Sequence, residues 1–121
     1  MRLVQVAQHV DDLDRATDFY TVLLDAEPTA RFPDSGLVFF DLEGVRLLLD
    51  TGAPSSLLYL EVHNVHAAIE RLASIAEVVT PPHAIFVHDT DVLGPDGHEE
   101  WQAFVRDTEG NLVGLVAFQR P

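Results

Sequence analysis

A chain of 121 residues, 47% of them apolar, is long enough to bury one hydrophobic core and too apolar to stay disordered. Its formal net charge of −13 excludes the basic surface that nucleic acid or an anionic membrane requires, and the absence of cysteine excludes disulfides and thiolate metal sites. The acidity either keeps the chain soluble or favours a cationic ligand. No apolar run approaches the roughly 20 residues of a membrane span, and the first ten residues, MRLVQVAQHV, read as a strand and not a signal peptide, so a cytoplasmic location is expected.

In chain order, Leu3–Val10 reads as a strand, with Val4, Val6 and Val10 on a helix-packed side that Gln8 interrupts. Gln5 and His9 face the other way and suggest a cavity with polar groups. Asp11 or Asp12 then caps a helix whose Leu13, Ala16, Phe19, Tyr20, Leu23 and Leu24 share one apolar face, with Pro28 as the stop. A strand is expected at Ala26–Arg31 and a turn at Pro33–Gly36. A hairpin follows, Leu37–Leu42 and Val45–Asp50 around Glu43-Gly44. Thr51–Ser56, TGAPSS, is a linker.

The scheme then restarts. Leu57–Val62 reads as a strand, Asn64 as a helix cap, and Val65, Ala68, Ile69, Leu72 and Ile75 as one helical face. The final hairpin is Trp101–Asp107 and Asn111–Phe118 around Thr108-Glu109-Gly110. The offset from Val10 to Val62 is 52 and from Gly44 to Gly110 is 66, so the second half carries 14 more residues. The surplus lies in Thr80–Glu100, which holds His83, His88 and His98 among five carboxylates. So long an insert in a small domain suggests a functional segment. The expected organisation is one domain, 1–121, of two tandem βαβββ modules: 1–50, the linker 51–56, and 57–121.

The duplicated modules, the helix start DLDRATDFY and the closing hairpin FVRDTEGNLVGL resemble the glyoxalase/bleomycin-resistance/dioxygenase family, the vicinal oxygen chelate proteins. The resemblance spans nearly the whole chain. It implies an α+β fold whose modules curl into a cup-shaped, barrel-like mixed sheet with helices outside, a small-molecule ligand on the concave face, and a homodimer. Catalytic members of that family hold a divalent metal on four side chains, which here fall on Gln5, Leu48, Leu57 and Gly114. Leucine has no donor atom and glycine no side chain, so no metal and no other cofactor is expected at these positions. A displaced metal among His83, His88 and His98 stays open.

Strand parity puts Gln5, His9, Arg46, Leu48, Asp50, Leu57, Tyr59, Glu61, Gly114, Val116 and Phe118 on the concave face. From the seventh strand, either Glu100, Gln102, Phe104 and Arg106 or the alternate set with Trp101 points inward. The first is preferred, because Trp101, Ala103 and Val105 make the better apolar face against a helix. Candidate ligand-binding residues are Gln5, Arg46, Leu48, Leu57, Tyr59, His83, Trp101, Phe104 and Gly114, and the candidate acid–base pair is His98 with Glu100. The expected function is metal-free binding of a small molecule, with drug sequestration as one form. The alternative is a glyoxalase-, epimerase- or isomerase-type lyase using that pair or a displaced metal. A third reading, a sensing module, lacks an effector domain.

Overall fold

The computed structural model describes residues 2–121, which divide into two units. The first extends to Ser56 and includes Asp107–Asn111; the second holds Leu57–Arg106 and Leu112–Pro121. Each unit has the order strand, helix, three strands, and each builds its own four-stranded mixed sheet. No closed barrel forms among the described residues.

In the first unit β1 (Gln5–His9) leads into α1 (Leu13–Leu24), then β2 (Ala30–Phe32), a 3-10 turn at Pro33–Ser35, β3 (Leu37–Leu42) and β4 (Val45–Asp50). Asp12 caps α1 by accepting from the Arg15 amide at 3.0 Å, one of the donors a helix start leaves orphaned. The helix ends at Leu24, four residues before Pro28. Asp25 turns left-handed (φ 50°), and its N–H returns to the carbonyls of Thr21 and Val22. That cap and Pro28 delay β2 to Ala30. The ladder of β1 extends one bond beyond each end, through Arg46 N to Val4 O and Val10 N to Asp50 O, as the longer expected strand implied. The β3–β4 hairpin turns on Glu43 (φ 49°) and Gly44 (φ 93°), both left-handed as a type I′ turn requires. The sheet order is β1-β4-β3-β2, with β1 parallel to β4. Val10, Val38, Phe40, Leu47 and Leu49 are buried, as are Ala16, Phe19, Tyr20 and Leu23 of α1.

Gln8, the residue that breaks the apolar pattern of β1, is fully buried and polar for a reason. Its Nε2 donates to the Tyr20 hydroxyl at 3.1 Å, and that hydroxyl donates to Asp107 Oδ2 at 2.8 Å. Burial, reinforced by the Asp107 charge, pushes the Tyr20 phenol far above its ordinary range, so it stays a donor. Asp107 Oδ1 accepts the amides of Glu109 and Asn111, both at 2.8 Å, and shapes the 107–111 turn. Asn111 in turn donates to the His9 carbonyl and accepts from Ser55. Beside it Glu109 accepts four bonds: the amides of Asp11 and Asp12 on Oε1, and Arg15 Nε and Thr108 Oγ1 on Oε2. A carboxylate at the positive end of α1 is favourably placed.

In the second unit β5 (Leu58–Glu61) leads into α2 (Val65–Leu72), β6 (Glu77–Val87), β7 (Glu99–Arg106) and β8 (Leu112–Gln119), in sheet order β5-β8-β7-β6. Asn64 caps α2 by accepting from the Ala67 amide at 3.1 Å. The helix stops at Leu72, short of the expected Ile75, and the chain leaves it through turns at 73–76. Val65, Ala68 and Leu72 are buried, with Leu58, Ala103, Val105, Val113, Leu115 and Ala117 of the sheet. The surplus at Thr80–Glu100 is no free-standing insert. Its first part is the outer half of the 11-residue edge strand β6, and only the tip beyond His88 is loop. Pro81 and Pro82 fit an edge strand, where a missing N–H breaks no inner ladder, and the register shifts around them.

Candidate functional site

On the first sheet the face away from α1 carries three rungs set by register: Gln5–Arg46–Asp41, Ala7–Leu48–Phe39 and His9–Asp50–Leu37. Arg46 donates from Nε to Gln5 Oε1 at 3.0 Å, and its guanidinium carbon lies 5.6 Å from the centre of the Phe39 ring. Leu48 is buried in the middle rung. His9 spans Ala53 O and Asp11 Oδ1, both at 3.0 Å, and so is occupied by its own loop.

On the second sheet the face away from α2 reads Tyr59–Gly114–Phe104–Thr80, then Glu61–Val116–Gln102–His83, then Phe118–Glu100–Phe86. Tyr59 and Phe104 meet edge to face at 5.7 Å above Gly114. A Cβ at Gly114 would lie 2.8 Å from Tyr59 Cδ1 and 3.0 Å from Phe104 Cε1, so only glycine admits both rings where they stand. Tyr59 is half exposed, leaving an aromatic platform open. Leu57 precedes β5 and is exposed. His83 is on this face at the edge strand, its Nδ1 within 3.0 Å of Pro81 O. Trp101 lies on the opposite face, 5.2 Å from His66, with Nε1 donating to Glu99. It is therefore separated from the Tyr59–Phe104 pair.

The four positions that the family resemblance assigns to a metal do not suit one. Gln5 has its oxygen engaged by Arg46, Leu48 and Leu57 are hydrocarbon, and Gly114 is the seat of two aromatic rings. Among the described residues no three His, Asp or Glu side chains are grouped to hold an ion.

The structure does not bring the expected pair, His98 and Glu100, into contact. His98 Nδ1 lies 3.1 Å from Asp96 O at the loop end. The partner of Glu100 is His88: Nε2 is 2.9 Å from Glu100 Oε1, with both residues buried, and Gln102 Nε2 donates to Glu100 Oε2 at 2.6 Å. The His88 ring is held by Phe86 at 4.4 Å and Phe118 at 5.6 Å. The sequence concealed this pair because it depends on the bulged β6–β7 pairing, which sets Phe86 opposite Glu100 and bonds His88 N to His98 O, and so brings the His88 ring to Glu100. What sequence alone offered was a histidine ending an apolar run, AIFVH.

The model of the Glyoxalase/Bleomycin resistance protein/Dioxygenase superfamily matches residues 2–115. No curated protein matches the sequence. Solved structures share the fold. One is a glyoxalase-related enzyme from Fulvimarina pelagi, with 18% identity, TM-score 0.72, and coverage of 97% of this chain and 88% of that one. A second is a lactoylglutathione lyase from Agrobacterium tumefaciens, with 21% identity, TM-score 0.69, and coverage of 96% and 92%. A third is TioX from Micromonospora sp. ML1, with 22% identity, TM-score 0.69, and coverage of 97% and 98%.

Proposed function

The chain belongs to the glyoxalase/bleomycin resistance protein/dioxygenase superfamily, and from that premise we propose that it binds a small molecule without that family's metal. The observation that carries the reading is Gly114: where a metal ligand would stand there is no side chain, and Tyr59 and Phe104 close over the backbone. An open aromatic pair of this kind takes a flat apolar or aromatic ligand by stacking, and the net charge of −13 favours a cationic one, as in drug sequestration. The protein would act as a homodimer in the cytoplasm, with neither nucleic acid nor membrane as partner. The alternative, a lyase of glyoxalase, epimerase or isomerase type, draws its support from the buried His88–Glu100 contact, since a carboxylate that orients an imidazole makes it a better base.

The test is elemental analysis of protein purified without a histidine tag, followed by calorimetric titration with Ni²⁺ and Zn²⁺. No saturable metal binding, together with binding of a flat aromatic cation such as acridinium that Tyr59→Ala weakens at least tenfold, is the expected result. About one metal per chain, lost in His83→Ala or His98→Ala, would overturn the reading in favour of a displaced metal site.

A further inference from the structure

The β6–β7 tip carries a half-open cleft of about 350 Å³, whose apolar lining includes Phe86, Val87, Val92 and Leu93 and whose polar lining includes His88 and Asp89. Val92 and Leu93 are 81% and 76% exposed, so two hydrocarbon side chains stand in water beside a buried imidazole. Backbone bonds fix the loop that carries them: His88 N to His98 O and Gly97 N to His88 O, both 2.8 Å. Gly94 brings the loop down onto the ring, since a Cβ there would lie 2.8 Å from His88 Cε1 and 2.7 Å from Phe118 Cε1.

The polar chemistry of the cleft follows from Glu100. The 2.9 Å contact between His88 Nε2 and Glu100 Oε1 admits either tautomer of the ring; the one that pairs with an ionised carboxylate, which only accepts, carries its hydrogen on Nε2. In the neutral ring that leaves Nδ1 as an acceptor, and Asp89 is an acceptor with negative charge. Thr90 contributes a hydroxyl, and no cationic side chain is in the lining.

We infer that this cleft is a binding site for amphiphilic amines, with the ammonium donating to His88 Nδ1 beside Asp89 and the hydrocarbon body covering Val92 and Leu93. Glu100 is a positioning residue that sets the His88 tautomer, and Gln102 holds Glu100. The site is separate from the Tyr59–Phe104 platform and does not depend on the platform reading.

The probe is 4-phenylbutylammonium, titrated calorimetrically at neutral pH against 4-phenylbutanoate, which has the same body and the opposite charge. Saturable binding of one ammonium per chain is expected, with none of the carboxylate. Leu93→Ser, at an exposed position that leaves the fold intact, and His88→Phe, which keeps a ring but removes the acceptor, should each weaken binding ~10-fold, the size of one lost hydrogen bond or apolar contact. Glu100→Gln can turn its amide N–H toward His88 Nε2, which moves the ring proton to Nδ1. Nitrogen NMR of the histidine should record that change, with a similar loss of affinity. Absence of saturable binding, equal binding of the carboxylate, or unchanged affinity in Leu93→Ser would overturn the site, as would a tautomer change without loss of affinity. If Tyr59→Ala abolishes binding and Leu93→Ser does not, the probe sits on the aromatic platform and this inference fails while the platform reading stands.

Discussion

Replacing Glu109 with glutamine tests the contact between the 107–111 turn and the start of α1. Burial alone would raise the Glu109 pKa, but the Arg15 guanidinium, the amides of Asp12 and Asp11 and the Thr108 hydroxyl outweigh it and lower the value from 4.5 to about 2. The folded value lies below the unfolded one, so the contribution is complete above pH ~5 and disappears as pH falls through about 2. The full shift corresponds to about 3 kcal/mol at 1.36 kcal/mol per unit. The Arg15 side chain is 52% exposed, and solvent screening of that partner reduces the expected effect to about 1–2 kcal/mol. Glutamine keeps an oxygen for the Asp11 and Asp12 amides but turns an N–H₂ toward the Arg15 donor, so the charged bond is what the substitution removes. Urea unfolding of both proteins between pH 3 and pH 7 measures the difference. It should be about 1–2 kcal/mol at pH 7 and roughly two-fifths of that at pH 3. A difference that is equal at both ends, or absent at pH 7, would refute the account of Glu109 as an ionised clamp.

Tyr20→Phe removes the hydroxyl between Gln8 and Asp107 and leaves the buried Gln8 amide without its acceptor, so unfolding free energy should drop by about 1–3 kcal/mol with the fold retained. Asn64→Ala removes the α2 cap and should cost about 1 kcal/mol in the same assay; a neutral result would mean that water serves the Ala67 amide equally well. Gly114→Ala forces the exposed Tyr59 ring aside, so stability should change by about 1 kcal/mol or less while binding of a stacked aromatic ligand falls. Unaltered binding in that variant would separate the platform from the ligand.

The modular fold was legible in the sequence because its signals are local. The caps at the Asp11-Asp12 pair, of which the structure uses Asp12, and at Asn64, the helical spacing of Ala16, Phe19, Tyr20 and Leu23, and the Glu43-Gly44 turn each act within a few residues. The β3 and β4 boundaries follow from alternation and that turn. The unsuitability of Leu48, Leu57 and Gly114 as metal donors was equally readable, since it is a matter of side-chain chemistry once the positions are named. What only the tertiary structure decided is long-range. It placed Asp107–Asn111 with the first unit, and it supplied Tyr20 as the partner of the misfit Gln8 from a distant helix. It gave Glu100 to His88 and not to His98, and it seated Trp101, on the helix side that strand parity already preferred, beside His66. Periodicity fixes which way a side chain points along its own strand; the partner across the sheet depends on register, and bulges in β6 shift that register by steps the sequence does not mark.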